Sequence, residues 1–508
     1  MRQDTGQLDG AAALASNGNG ASVIAATAVG AGEAQATVRL RGLPSLRAPR
    51  AWEVPRVLRE PRAGRIALAS IVVCLLALVL YATGGPTALT PRSSEIFAPW
   101  EAGPLYGLVS GLHAGSHALG YALSALILIM LAAYGVALAA LRTLSMRMIA
   151  ACIVAAHVIL VLGPPFQLTD MGNYLGYARL GGLHGLNPYT HVIGQEMHDP
   201  VYHLATWLNL HSPYGELFTA LSYPLAWLPL PVAYWIVKVV TVALSLVFIA
   251  LVCKCARRLG RDPRYAAVLV GLNPIYLIYA VGGFHNDFFM LVPMTAAIAL
   301  VLDRRDRSAG AVLMLAVAVK FTAVILLPFL LVGARTSARR RAIIVGAVLA
   351  AIPLIAMSLA LFGLSLPNLS QQGTLLTPFS FPNLFGYAIG IGGGAPALLR
   401  LADVALVLVV VWLVRRRGDW LSHAGWATLA LIASLAWVMP WYVIWVLPLA
   451  ALGSSQRLRR TALALTVFLV ITFLPSSGKL WGLAHFNPLS GSAGQASLNL
   501  QSKLSSYP

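Results

Sequence analysis

The sequence predicts an all-α polytopic membrane protein with about 13 membrane segments, among them two re-entrant hairpins of short helices. Three observations predict it. Apolar residues make up 58% of the 508-residue chain. Charged residues make up only 10%, against roughly 25% in soluble domains. The 36 Lys and Arg, set against 17 Asp and Glu for a formal charge of +19, lie mostly in short clusters between apolar runs. A soluble globular enzyme and a disordered chain are both excluded by this balance. The basic excess is placed as positive-inside loops place it, which argues against a nucleic-acid partner.

Residues 1–60 are Ala/Gly/Ser-rich and then Arg/Pro-rich, and read as a disordered cytoplasmic tail. Its length rules out a cleaved leader, so the run at 66–84 stays in the protein as a span. Runs at 117–141 and 147–163 follow, joined by a turn that Arg142 and Arg147 mark as inside, and these close an N-terminal group of spans over 61–163. The segment 164–230 is rich in Gly, Pro, His, Tyr and carboxylates and forms a long outer loop. Within it, 213–228 is apolar enough to pass for a span. The run 231–253 must however deliver KCARRLGRDPR to the inside, so 213–228 is expected as a helix on the outer surface.

The membrane core covers 231–475. Runs at 265–282 and 288–302 go out and back to DRRDR. The run 309–332 begins at that inner cluster and ends at another, ARTSARRR, yet is too short to cross twice. It is therefore a hairpin with Lys320 near its apex. Run 342–362 exits, 363–394 is a second outer loop, and 395–414 returns. A second hairpin at 423–453 carries Trp441, Tyr442 and Trp445 near its turn. A last span at 461–475 leaves 476–508 as an external tail, with the N-terminus inside. Two hairpins that stop short imply a cavity, because irregular backbone at membrane depth is covered by protein or lines water.

The four cysteines lie in or at the ends of apolar runs and read as small apolar fillers, with no zinc or disulfide spacing. Carboxylates expected outside are Glu95, Glu101, Asp170, Glu196, Asp199, Glu216 and Asp287. Asp170 follows closely on the outward end of a span and either caps a helix starting at Met171 or does chemistry. His285, Asn286 and Asp287 stand in a tight turn before a run too short for the bilayer, so they are drawn below the surface. They form a structural pair or a site. Glu196, His198 and Asp199 read as a solvated loop face. Lys320 is too deep to snorkel, which leaves a structural ion pair or a ligand. Arg179 is an ordinary surface arginine or a phosphate contact. Nucleotide, zinc-hydrolase, serine-hydrolase and Rossmann motifs are absent, so an enzyme of this design needs a donor already activated in the membrane.

TDMGNYLGYARL, GLNPY, HSPYGELF, GGFHNDFFM, VKFTAVILLPFLL, FSFPNLFG and PWYVIWVLPLA stand in an order that resembles the polyprenol-phosphate-mannose-dependent α-1,6-mannosyltransferases of actinobacterial cell envelopes. The resemblance covers about 160–455 and implies a C-class glycosyltransferase (GT-C-like) fold. It also implies a multi-pass protein of the cell (plasma) membrane, working on its external face with a polyprenyl-phosphate-sugar donor and a glycan or glycolipid acceptor. The catalytic aspartate of the first outer loop matches Asp170. Relatives often read SPYGP where this chain has Glu216, which bears on the acceptor.

A lipid phosphate leaves as an anion, so a single base suffices, and attack inverts the anomeric carbon. Asp170 takes that role. Lys320, Arg179 and His285 are the candidates for holding phosphate. Asn286, Asp287, Tyr174, Tyr214 and Glu216 are assigned to sugar or acceptor, and Trp441 and Tyr442 to a lipid groove or to packing. No metal and no cofactor are expected. A transporter or flippase of a lipid-linked sugar is the competing class, as is the same fold moving arabinofuranose or glucose. Against a transporter, the long loop 164–230 has no counterpart in the second half of the chain.

Overall fold

A computed structural model of the chain describes residues 60–84, 89–90, 98–108, 116–367 and 373–505. Residues 1–59 of the expected tail, and Glu95, lie outside the described residues. Among those described there are helices and no strands. Helices α1 (Pro61–Thr83), α2 (Ser116–Ala139) and α3 (Met146–Leu162) correspond to the first three apolar runs. Loop helices α4 (Met171–Gly182) and α5 (Glu216–Ser222) follow, then α6 (Leu230–Arg258), α7 (Pro263–Gly271), α8 (Asp287–Leu302) and α9 (Asp306–Val319). The rest of the core is α10 (Leu327–Gly333), α11 (Ser337–Phe362), α12 (Phe381–Ala388), α13 (Pro396–Arg415), α14 (Trp420–Ser434), α15 (Val443–Leu452) and α16 (Gln456–Thr472). Helices α17 (Ser477–Leu483) and α18 (Ser492–Leu504) close the chain.

Five of these helices are long and apolar enough to cross a membrane, in α1, α2, α6, α11 and α13. The α16–α17 pair, bent by 79°, makes up to six. Shorter apolar helices fill the remaining runs. The chain is thus all-helical and membrane-type, with fewer span-length helices than the thirteen segments expected.

The difference lies in the breaks, and each break has a cause. The run expected at 265–282 stops after Gly271 because Pro274 cannot continue the helix. Asn273 caps the break, its Oδ1 accepting from the Ile275 and Tyr276 amides while its Nδ2 donates to Thr466. A π-helical turn, Tyr276–Val281, follows. Both sequence-predicted hairpins are interrupted helices. α9 ends at Lys320, which is extended at φ −154° and ψ 113°, and 435–442 separates α14 from α15. The surface helix expected at 213–228 is two shorter pieces, α5 and a 3-10 turn Tyr223–Trp227, because Pro224 ends the α-helical ladder.

Side-chain contacts sort the loops into two ends. At one end Lys254 and Arg258 pair with Asp303, Arg339 with Asp306, and Arg264 donates to the Leu144 carbonyl. At the other, Asn187 reaches the Phe362 carbonyl, Asn209 binds Lys503 and Leu504, and Ser497 holds Leu376. The segment 476–508 is therefore not a loose tail. As far as Ser505 it packs across both predicted outer loops, because Ser497 and Gln501 of its helix satisfy the Leu376 amide and carbonyl in one loop, and Asn209 of the other binds the carbonyls of Lys503 and Leu504. All four cysteines are buried and free.

Candidate active site

Asp170 stands at the N-cap position of α4, yet its side chain makes no capping hydrogen bond. Thr169 takes that role instead. Its hydroxyl accepts from the Met171 amide at 3.2 Å and donates to the Gly283 carbonyl at 2.7 Å. One threonine thus sets the start of α4 against the Gly282–Phe284 turn and frees the Asp170 carboxylate from capping, so that it meets Tyr214 instead. The Phe166 amide adds a second tie, to the Gly282 carbonyl at 2.8 Å.

Two residues with left-handed backbone flank this junction, Leu168 at φ 68° and Phe284 at φ 52°. Non-glycine residues rarely hold that conformation unless the surroundings over-determine it, and such strain collects at working sites. Gly283 is required here by close approach, since a Cβ would lie 2.6 Å from His285 Nε2.

The turn delivers His285, Asn286 and Asp287 to the face of Asp170, all three almost fully buried. His285 lies flat on Trp441, ring centroids 3.5 Å apart, with its Nδ1 3.6 Å from Asp170 Oδ2. The Asn286 amide donates to the Tyr174 hydroxyl at 3.0 Å, tying the turn to α4. Asp287 opens α8 and accepts through Oδ1 from Lys320 Nζ at 2.9 Å and from Trp445 Nε1 at 2.6 Å. Lys320 also lies over the stacked rings of Tyr442 and Trp445, 5.4 and 5.1 Å from their centroids.

Several atoms of this cluster are buried without a partner: both ring nitrogens of His285, Nδ2 of Asn286 and Oδ2 of Asp287. Leaving one such group unmatched costs about 1–3 kcal/mol. Four together on one turn describe a surface prepared for a polar guest.

Tyr214 closes the other side. It packs edge-on against Tyr174 at 4.9 Å, and burial with the adjacent Asp170 charge holds both phenols well above their ordinary pKa. The following Gly215 donates its amide to the Val319 carbonyl at 3.1 Å, just before Lys320. A Cβ at Gly215 would collide with the Ala318 carbonyl, so the Ser-Pro-Tyr-Gly-Glu loop rests directly on the broken end of α9. Glu216, Lys320, Tyr442 and Trp445 then line a cavity of about 800 Å³ whose other walls are apolar residues of α11 and α13, such as Leu354, Ile355 and Leu399.

The structure therefore gathers Asp170, Tyr174, Tyr214, His285, Asn286, Asp287 and Lys320, with Glu216 and Tyr442 on the adjoining cavity. Two expected residues differ. Trp441 is 5% exposed and is a platform under His285 rather than the wall of a groove. Arg179 lies about 13 Å further along α4 by helical rise and is committed elsewhere. Its Nε meets Asp199 at 2.8 and 2.9 Å and its Nη1 donates to the Ala226 carbonyl.

Asp199 also accepts from His184 at 2.8 Å and from the Val201 amide, and is buried rather than solvated as the sequence suggested. Burial opposes its charge, but Arg179, His184 and the amide outweigh that and hold its carboxyl below the usual range.

Three residues of the site were passed over in the sequence. Trp445 was noted near its turn but given no role. Its ring stacks on that of Tyr442, three residues earlier, at 4.2 Å. Lys238, fully buried in α6, donates to the Gly163 carbonyl and lies 5.2 Å from the Phe284 ring, so it braces both segments of the junction. Asp403 of α13 lines the cavity and stands within an otherwise apolar run.

Residues 71–336 match the family described as alpha-(1->6)-mannopyranosyltransferase, N-terminal domain, and residues 397–490 match the MptB C-terminal domain. Alpha-(1->6)-mannopyranosyltransferase A of Mycobacterium tuberculosis is 27% identical over 262 residues, 46% of this chain and 51% of that protein. Its Corynebacterium glutamicum namesake is 27% identical over 34% of this chain and 36% of its own length. The chain thus spans about half or less of these two relatives. The polyprenol-phosphate-mannose-dependent alpha-(1-2)-phosphatidylinositol mannoside mannosyltransferase of Mycolicibacterium smegmatis is 29% identical over 55% of this chain and 73% of its own length. No solved structure matches the chain.

Proposed function

The chain belongs to the alpha-(1->6)-mannopyranosyltransferase family, and from that premise we propose that it moves a mannosyl residue from a polyprenyl-phosphate donor to a hydroxyl of a cell-envelope glycan or glycolipid. The reaction takes place at the external face of the plasma membrane, with the N-terminus of the chain inside. The observation that carries the proposal is an Asp170 carboxylate free of its helix cap, hydrogen-bonded to Tyr214 and beside His285, that faces buried polar atoms of His285, Asn286 and Asp287 lacking hydrogen bonds of their own. Beside them runs a cavity that carries charge at Lys320, Glu216 and Asp403 and is otherwise largely apolar.

In this mechanism the acceptor oxygen attacks the anomeric carbon as the bond from that carbon to the phosphate oxygen breaks, and the configuration inverts. The bonding pair leaves with the phosphate, and the acceptor proton goes to Asp170. His285 and Lys320 hold the departing phosphate, whose charge grows in the transition state. Arg179, already paired with Asp199, takes no part. Asn286 Nδ2 and Asp287 Oδ2 engage sugar hydroxyls and recover the hydrogen bonds they lack in the free protein. Tyr174 and Tyr214 stay neutral because burial disfavours the phenolate, so they position rather than deprotonate. Glu216 stands at the acceptor side, where it selects among hydroxyl-rich acceptors, and Tyr442 flanks the prenyl chain.

The test is in-vitro transfer from polyprenyl-phosphate-mannose to a synthetic mannoside by the purified protein and its Asp170→Asn variant. The expected result is a product whose anomeric configuration is opposite to the donor's, formed only by the parent. Full activity in folded Asp170→Asn removes the aspartate as base. Translocation of the donor without any transferred sugar would replace the enzyme with a flippase.

A further inference from the structure

A second and larger cavity, about 960 Å³, lies between α13, α14 and α16, and its charged mouth is at the end of the molecule that carries the basic loops. Arg416, His423 and Arg457 stand at that mouth. Arg416 lies 4.2 Å over the ring of Trp412, and neither it nor Arg457 has an acidic partner among the described residues. The one carboxylate in the lining, Asp419, is already committed. It accepts from the Leu421 amide, the Ser422 hydroxyl at 2.8 Å and the Ser454 amide, and pairs with Arg261 at 3.8 Å. The mouth is therefore left with a net positive charge. The N-termini of α14 and α16 begin there too, capped by Asp419 and Ser455, and add the positive end of two helix dipoles.

Away from the mouth the lining turns apolar, with Trp412, Leu413, Trp426, Leu429 and Leu465. Phe381 and Phe468 close the far end, stacked at 5.9 Å. From Arg457 to Phe468 the groove runs about 16 Å along α16, close to half of a hydrocarbon core about 30 Å thick. One anionic head and one leaflet-length chain fit this division of charge and length. A polyprenyl chain is much longer than the slot.

We propose that this groove is a binding site for an anionic phospholipid of the cytoplasmic leaflet, its phosphate held by Arg416 and Arg457 with His423 beside them and an acyl chain along α16. Basic pockets between membrane helices on the cytoplasmic side are suited to such headgroups. The site lies apart from the Asp170 cluster and does not depend on the sugar-transfer reading.

The test is to reconstitute the full chain into nanodiscs of phosphatidylcholine with and without phosphatidylglycerol, then count retained lipids by native mass spectrometry. The parent is expected to keep one phosphatidylglycerol. Arg416→Ala/Arg457→Ala should retain it about 25-fold less, at roughly fivefold per arginine. Arg415→Ala/Arg417→Ala, which removes the same charge outside the lining, should retain it as the parent does. Ala430→Trp fills the groove and leaves the arginines in place, so it too should lose the lipid while keeping its thermal unfolding midpoint. Equal losses in the two double variants would reduce the effect to general surface charge and overturn the site. Equal retention of phosphatidylcholine, no retained lipid, or polyprenyl phosphate in its place would overturn it as well.

Discussion

Helix α4 carries a polar cluster at each end, and the two are finished differently. At its C-terminal end Arg179, His184 and Asp199 satisfy one another, Arg179 Nη1 also donates to the Ala226 carbonyl, and His184 Nδ1 lies 3.4 Å from Glu196. At its N-terminal end Asp170 faces a turn in which His285, Asn286 and Asp287 keep buried atoms without partners. Both clusters are polar, so composition does not separate them, although the open one is the more deeply buried, with His285 at 1% exposure against 29% for the His184 side chain. What separates them is completion. A closed network fixes a loop, whereas an open and more deeply buried one retains free energy that a ligand can recover.

The contrast can be broken by substitution. Asp170→Asn keeps the shape and removes the base, and should lower the transfer rate by about 10²–10⁴-fold with unfolding unchanged. A single-turnover assay reads this directly, and a loss below tenfold would close the open cluster. Lys320→Met should raise the donor KM by about ten- to a hundredfold, the worth of a charge-assisted hydrogen bond. A change confined to kcat would move the lysine from donor binding to orienting Asp287. Arg179→Met is the counterpart at the closed end. Here the expected cost is stability, about 3–5 kcal/mol for stranding buried Asp199, with kcat and KM of the folded fraction near those of the parent.

Glu101 sharpens the rule from another side. It is buried near Lys238, and desolvation lifts its carboxyl to about 7 despite the nearby ammonium. A raised pKa in the folded state means its contribution is present below about 4.5 and is lost as the pH rises through about 7. Glu101→Gln should therefore melt like the parent at pH 5 and above it at pH 8, and parallel melting curves would reassign the proton. The smallest expected effect is that of a chelator. The proposed chemistry uses only protein cations, so EDTA should leave transfer unchanged, and a loss restored by a divalent ion would add a metal to the mechanism.

Much of the site was legible before any coordinates, because two signals are written locally. The short run after GGFHND shows that three polar residues are pulled inward, and a lysine deep in an apolar stretch announces a break. Lys320 does fall at that break, and Asp170 does face the buried turn. Arg179 stood open between a surface role and a phosphate contact because a helical spacing of nine gives separation and not partnership. Its carboxylate, Asp199, lies 20 residues on in a loop that looked solvated. Trp441 was left between a lipid groove and packing because an aromatic beside a membrane turn carries no mark of whether lipid or a histidine ring covers it.

By itself the sequence determined the class of protein, the order of its helices and the identity of the polar residues that could not rest in lipid. Hydropathy, proline and charge act over a few residues at a time, and one chain records them fully. Only the tertiary structure decided which of those polar groups are spent on each other and which stay open. That outcome depends on contacts such as Lys320 with Asp287 and Trp445 with Asp287, 33 and 158 residues apart, and no local pattern encodes so distant a partner.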